Sequence, residues 1–87
     1  MSVAEKVAEG RVLLEEVALR YANQHGLREI KVEWTDQGYE WWMKAVDAQH
    51  TVRVVFSPDE IVMFTEKMPE NKETKAKIRN AFASLSM

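Results

Sequence analysis

Residues 29–57, EIKVEWTDQGYEWWMKAVDAQHTVRVVFS, decide the fold of this chain. Ile30, Val32 and Trp34 alternate with Glu29, Lys31 and Glu33. Trp41, Met43 and Ala45 resume the alternation after Asp36-Gln37-Gly38, and Val52, Val54 and Phe56 repeat it after Asp47-Ala48-Gln49-His50. A strict two-residue period marks strands with one face on a core and the other toward water. The stretch therefore predicts three short strands, about 28–35, 39–47 and 50–56, in an antiparallel meander.

The register of the first hairpin decides which tryptophans face the core. A two- or four-residue loop puts Trp41, Met43 and Ala45 on the face of Ile30, Val32 and Trp34. A three-residue loop puts Trp42 and Val46 there instead, because a one-residue slip flips every side chain. The second hairpin favours the first arrangement. A two-residue Ala48-Gln49 turn sets Ala45 opposite Val52, Met43 opposite Val54 and Trp41 opposite Phe56.

Helices are expected on both sides of the meander. Ser2-Val3-Ala4-Glu5 has the capping-box pattern, in which Ser and Glu satisfy each other's backbone donors. A long helix follows, with Val3, Val7, Gly10, Leu14, Val17, Ala18 and Tyr21 on one stripe. Gly10 on that stripe signals either a close backbone crossing or a tolerated poor helix former. Gly26, followed by Leu27, supplies the stop. Ser57-Pro58-Asp59-Glu60 is a second capping box with Pro at the first helical position. It opens a short helix over roughly 58–67 with Ile61, Val62 and Phe64, interrupted by Pro69. A last helix, about 70–85, carries Ile78, Ala81, Phe82 and Leu85 on its apolar side. The fold class is α+β, in the order α-β-β-β-α-α, with the helices covering one face of the sheet.

Eighty-seven residues correspond to one domain spanning the whole chain. With 46% hydrophobic and 30% charged residues the composition is that of a folded protein. No cysteine is present, so disulfides and thiolate chemistry are excluded. The N-terminus has no signal-peptide pattern, and no apolar run reaches the ~20 residues of a membrane span. These features point to a cytoplasmic protein.

Chemistry is sparsely signalled. His25 sits at a helix end and His50 at a hairpin. Neither has a ligand partner at metal-binding spacing, so an enzyme using His50 or His25 is the weakest reading, and no catalytic residue, metal or cofactor is expected. Glu15-Glu16 and Asp59-Glu60 are helix neighbours pointing about 100° apart, which does not make a shared site. The glycines form no phosphate-cradling loop.

The basic segment 71–79 has a second reading. Lys72, Lys75 and Lys77 stand near the start of the last helix, followed by Arg79. Together with the α-β-β-β-α order this resembles the double-stranded-RNA-binding domain, whose second helix opens with a lysine-rich KKxAK motif. The resemblance implies phosphate contacts by Lys72, Lys75, Lys77 and Arg79. The chain departs from that family in its extra helix after strand three, in lacking the Gly-Pro-x-His turn, and in its net charge of −2. A solvated basic face is the simpler interpretation, and nucleic acid remains the alternative partner.

The aromatic residues carry the leading functional expectation. Trp34, Trp41 and Phe56 belong to the core face. Trp42 points to the other face near Val55, with Val46 further along and Lys31, Glu33, Lys44 and Arg53 around them. Apolar patches rimmed by charge mark contact surfaces. Ala8, Val12 and Leu19 form a second apolar strip on the back of the first helix. The expectation is a non-catalytic interaction protein, binding itself as a homodimer or another protein, through Trp42, Val46, Val55, Lys44 and Arg53 on the outer sheet face or through the back of the first helix.

Overall fold

The computed structural model describes residues 2–66 and 71–84. A long helix α1 (Val3–Gln24) precedes three strands, β1 (Lys31–Asp36), β2 (Trp41–Val46) and β3 (Thr51–Phe56). Two helices follow, α2 (Pro58–Met63) and α3 (Asn71–Ala83). The strands form one antiparallel sheet in the order β1-β2-β3.

The expected register is the one adopted. Trp34 pairs with Met43 and Val32 with Ala45 across the first hairpin. Trp41 pairs with Phe56, Met43 with Val54 and Ala45 with Val52 across the second. Gln37 N donates to Glu40 O at 2.8 Å, and Asp47 N to His50 O at 3.0 Å, which closes two-residue loops at Gly38-Tyr39 and Ala48-Gln49. An aspartate opens each turn and locks it. Asp36 Oδ1 accepts from Gly38 N, and Asp47 Oδ1 from the amides of Gln49 and His50.

Both helix starts form, with different partners from those a full capping box requires. Ser2 Oγ accepts from Glu5 N, but the Glu5 carboxylate accepts from the Ser2 hydroxyl rather than from a backbone amide. Ser57 Oγ accepts from Glu60 N, while the Glu60 carboxylate turns toward α3. At the far end of α1, Leu27 N donates to Ala22 O and Gly26 N to Asn23 O, with Gly26 left-handed at φ 77°. This is a Schellman stop.

Five elements differ in their bounds from the sequence expectation. Strand β1 begins at Lys31 rather than 28, because Glu29 takes a left-handed φ of 55° that breaks the extended run. Strands β2 and β3 each lose their turn-flanking residues. Helix α2 ends at Met63 and winds down through turns at residues 64–66. Helix α3 occupies 71–83, and Glu70, Leu85 and the expected break at Pro69 lie outside the described residues.

One layer of helices covers one face of the sheet. Leu14, Val17, Ala18 and Ala22 from α1 meet Met43, Ala45, Val52, Val54 and Phe56 from the sheet, with Ile61, Phe64, Ile78 and Phe82 closing the core. Gly10 lies where α1 crosses α2. A Cβ there would collide with the Ile61 carbonyl and lie 2.6 Å from Ile61 Cγ2, so the glycine marks a close crossing. Val3, expected on the buried stripe, is exposed in the first turn of α1. Trp34 and Trp41 face inward but are only half-buried. They lie toward the first hairpin, where α1 contributes long polar side chains rather than apolar ones. Trp34 Nε1 donates to Glu15 Oε1 at 2.5 Å, and the Arg11 guanidinium sits 4.4 Å from the Trp41 ring centroid. Phe56, tilted against Trp34 at 5.8 Å, is fully buried.

Candidate interaction surface on the open sheet face

The outer face of the sheet follows directly from the register. Alternation turns Lys31, Glu33 and Thr35 of β1 outward, with Trp42, Lys44 and Val46 of β2 and Thr51, Arg53 and Val55 of β3. Cross-strand pairing arranges these nine side chains in three rows. Thr35, Trp42 and Val55 form the row beside the first hairpin. Glu33, Lys44 and Arg53 form the middle row. Lys31, Val46 and Thr51 form the third.

Trp42 is 42% exposed and Val55 39% exposed, directly paired on neighbouring strands. Val46 and Lys44 are half-buried, and Arg53, Glu33 and Lys31 are exposed. Among the described residues no helix covers this face. The indole Nε1 of Trp42 makes a long 3.4 Å contact with Glu40 Oε1, leaving the ring itself open. All five residues expected at an interface, Trp42, Val46, Val55, Lys44 and Arg53, therefore share one surface. Sequence reading placed Glu33 and Lys31 around them as well, and the middle row now gives Glu33 a defined position opposite Lys44.

The second apolar strip is also present. Ala8, Val12 and Leu19 are exposed, with Val12 at 56% and Leu19 at 43%. Ala8 and Val12 are one turn apart and Leu19 two turns further on, at a rise of ~1.5 Å per residue, whereas Trp42 and Val55 are directly paired across strands.

The four basic residues of α3 do not share one side of the helix. At ~100° per residue, Lys72, Lys75 and Arg79 share a side and Lys77 points about 140° away from Lys72. Lys77 Nζ instead donates to Val55 O and Glu60 Oε1, each at 2.8 Å, and lies 4.9 Å from the Phe56 ring centroid. It ties α3 to the edge of β3. The five-residue spacing from Lys72 to Lys77 already carried this signal. Glu60 is a residue that sequence reading missed. Its capping position explained it locally, yet its carboxylate also accepts from Thr74 Oγ1 at 3.0 Å, joining α2 to α3.

The imidazoles have local structural roles. His25 is the exposed C-cap of α1. His50 Nδ1 lies 3.3 Å from Asp47 within the second hairpin. Backbone amides, that of Gln49 foremost and that of His50 with it, hold the Asp47 carboxyl below its ordinary pKa, and the His50 ring adds to the shift. Two clefts open elsewhere. One, of about 640 Å³, lies between α1 and the starts and ends of the C-terminal helices, lined by Leu13, Val17, Arg20, Phe64, Lys72 and Lys75 among others. The other, about 350 Å³, includes Glu60, Met63 and Thr74. Neither contains His25, Glu40 or His50. Among the described residues, no three carboxylate or imidazole side chains gather as a metal site, and no helix is long and apolar enough to cross a membrane.

Compared with known protein families, curated proteins and solved structures, the chain matches none.

Proposed function

We propose that this chain is a small cytoplasmic interaction protein that works by surface contact through the open face of its sheet, and that it pairs there with a second copy of itself. The observation carrying this reading is the Trp42–Val55 pair, a large aromatic beside a β-branched residue, exposed on the outer face of a three-stranded sheet. An aromatic at the centre of a patch contributes more to binding than its rim does. Lys44 and Arg53 stand in the next row, and Val46 lies beyond Lys44 on the same strand.

A sheet whose inner face is packed on helices has one remaining face with which to gain burial. Small domains with limited cores gain stability by association, and a twofold pairing needs one self-complementary patch. The footprint is small: outer strands about 10 Å apart and ~20 Å long, below the ~800 Å² per partner of an ordinary stable complex. Self-association through it is accordingly weak and strongly dependent on concentration.

Light scattering over about 10 µM to 1 mM, spanning the weak-interface range, tests this reading. The wild-type mass rises toward twice that of the monomer, while Trp42→Lys stays monomeric with an unchanged circular dichroism spectrum. Val12→Lys, on the back of α1, associates as the wild type does. A wild-type mass that remains monomeric throughout overturns the proposal. So does a Trp42→Lys variant that still dimerises.

A further inference from the structure

The charged row across the open face specifies how two copies meet. This inference rests on the reading of that face as the contact surface, and goes on to its geometry. Glu33, Lys44 and Arg53 lie side by side on β1, β2 and β3, so the row runs from an anion at one edge of the sheet to a cation at the other. Stacked sheets with aligned strands lie about 10 Å apart. Two twofold axes between the sheets give that alignment, one along the strands and one across them.

The two axes make opposite demands on the charges. With the axis across the strands and centred on the middle row, each strand lies over its own copy. Glu33 then faces Glu33 of the second copy, and Arg53 faces Arg53 of the second copy. With the axis along β2, each row lies over the same row with its order reversed. Glu33 then faces Arg53 of the second copy, and the pairing occurs twice because the interface is isologous. In the same arrangement Trp42 lies over Trp42 of the second copy, and Thr35 over Val55 of the second copy. Lys44 faces its own counterpart in both arrangements, with Glu33 directly beside it in its own sheet. Only the axis along the strands joins the apolar row to itself and opposite charges to each other.

We infer that the protein forms a face-to-face dimer about a twofold axis parallel to β2, with Glu33 and Arg53 as the residues that select this orientation. Side-chain reach fits the geometry, since a glutamate and an arginine directed at one another span the ~10 Å between stacked sheets. Opposed charges at the rim of an interface set orientation and exclude wrong pairings more than they raise affinity. Both residues are exposed and outside the core, so exchanging their charges leaves the fold intact.

Charge exchange tests the inference. Glu33→Arg produces a face whose row is wholly cationic, and Arg53→Glu one with anions at both edges. Each variant alone self-associates at least about tenfold more weakly than the wild type, because both symmetry-related pairs become repulsive. An equimolar mixture of the two restores a dimer in sedimentation velocity, since every edge again meets its opposite. Two results overturn the inference. One is dimerisation of either variant with wild-type affinity, and the other is failure of the mixture to form a heterodimer when each variant alone is monomeric. If the single variants dimerise normally while Trp42→Lys does not, the open face stands as the contact surface and the orientation inferred here is wrong. If Trp42→Lys dimerises as the wild type does, the surface itself is wrong.

Discussion

At the scale of single residues, short polar side chains fix the turns that set the whole register. Asp47 accepts from two consecutive backbone amides, and those bonds hold its carboxyl below the ordinary value of 3.8. A group whose pKa is depressed by folding contributes stability above its unfolded value, and that stability is lost as pH falls through the folded one. The Asp47 contribution is thus complete at neutral pH and disappears in the acid range below about 4. A carboxyl carbon-13 titration gives an Asp47 midpoint below 3.8. In parallel, Asp47→Asn is less stable than the wild type at pH 7, and the difference shrinks on acidification. A midpoint at or above the ordinary value contradicts this account. The turns were legible in the sequence, the first from Gly38 after Asp36 and the second from the alternation that resumes at Val52 after Asp47. The bond between Trp34 and Glu15 was not, since nineteen residues separate them and no local pattern connects the two.

At the scale of elements, α1 crosses α2 so closely at Gly10 that a Cβ there has no room. Alanine is the better helix former by about 1 kcal/mol, which on propensity alone favours Gly10→Ala. The added methyl meets the backbone carbonyl of Ile61, which cannot rotate aside as a side chain can. Overpacking of this kind costs about 1–3 kcal/mol, so steric cost exceeds propensity gain. Thermal unfolding of Gly10→Ala occurs several degrees lower, at roughly 4–8 °C per kcal/mol for a domain of this size. An unchanged or higher Tm means that the helices do not approach as closely as described. The sequence left two readings of Gly10 open because a helical period places a residue on a face without naming what lies opposite. The strands were easier to read. Their alternation is visible over three consecutive segments, and the second hairpin removed the ambiguity of the first. Strand β1 was overextended by three residues because Glu29 gives no compositional sign of its left-handed backbone.

For the whole molecule, the central feature is the imbalance between the two faces of one sheet. The inner face and three helices make the core, and the outer face keeps Trp42 and Val55 in the open. Correct register made this surface legible from sequence, whereas its charge order required the cross-strand pairing of Glu33, Lys44 and Arg53. The basic helix was less informative than its composition suggested. Lys77 is committed to Glu60 and the edge of β3, leaving the remaining cations without it. The most direct test follows the resonances of the protein by solution NMR through a dilution series. Concentration-dependent shifts are expected for the Trp42 indole and for the amides of residues 33, 44, 46, 53 and 55. The indoles of Trp34 and Trp41, on the inner face, and the amides of Ala8, Val12 and Leu19 stay fixed. Shifts confined to the back of α1, or no shifts at any concentration, would contradict pairing through the open face.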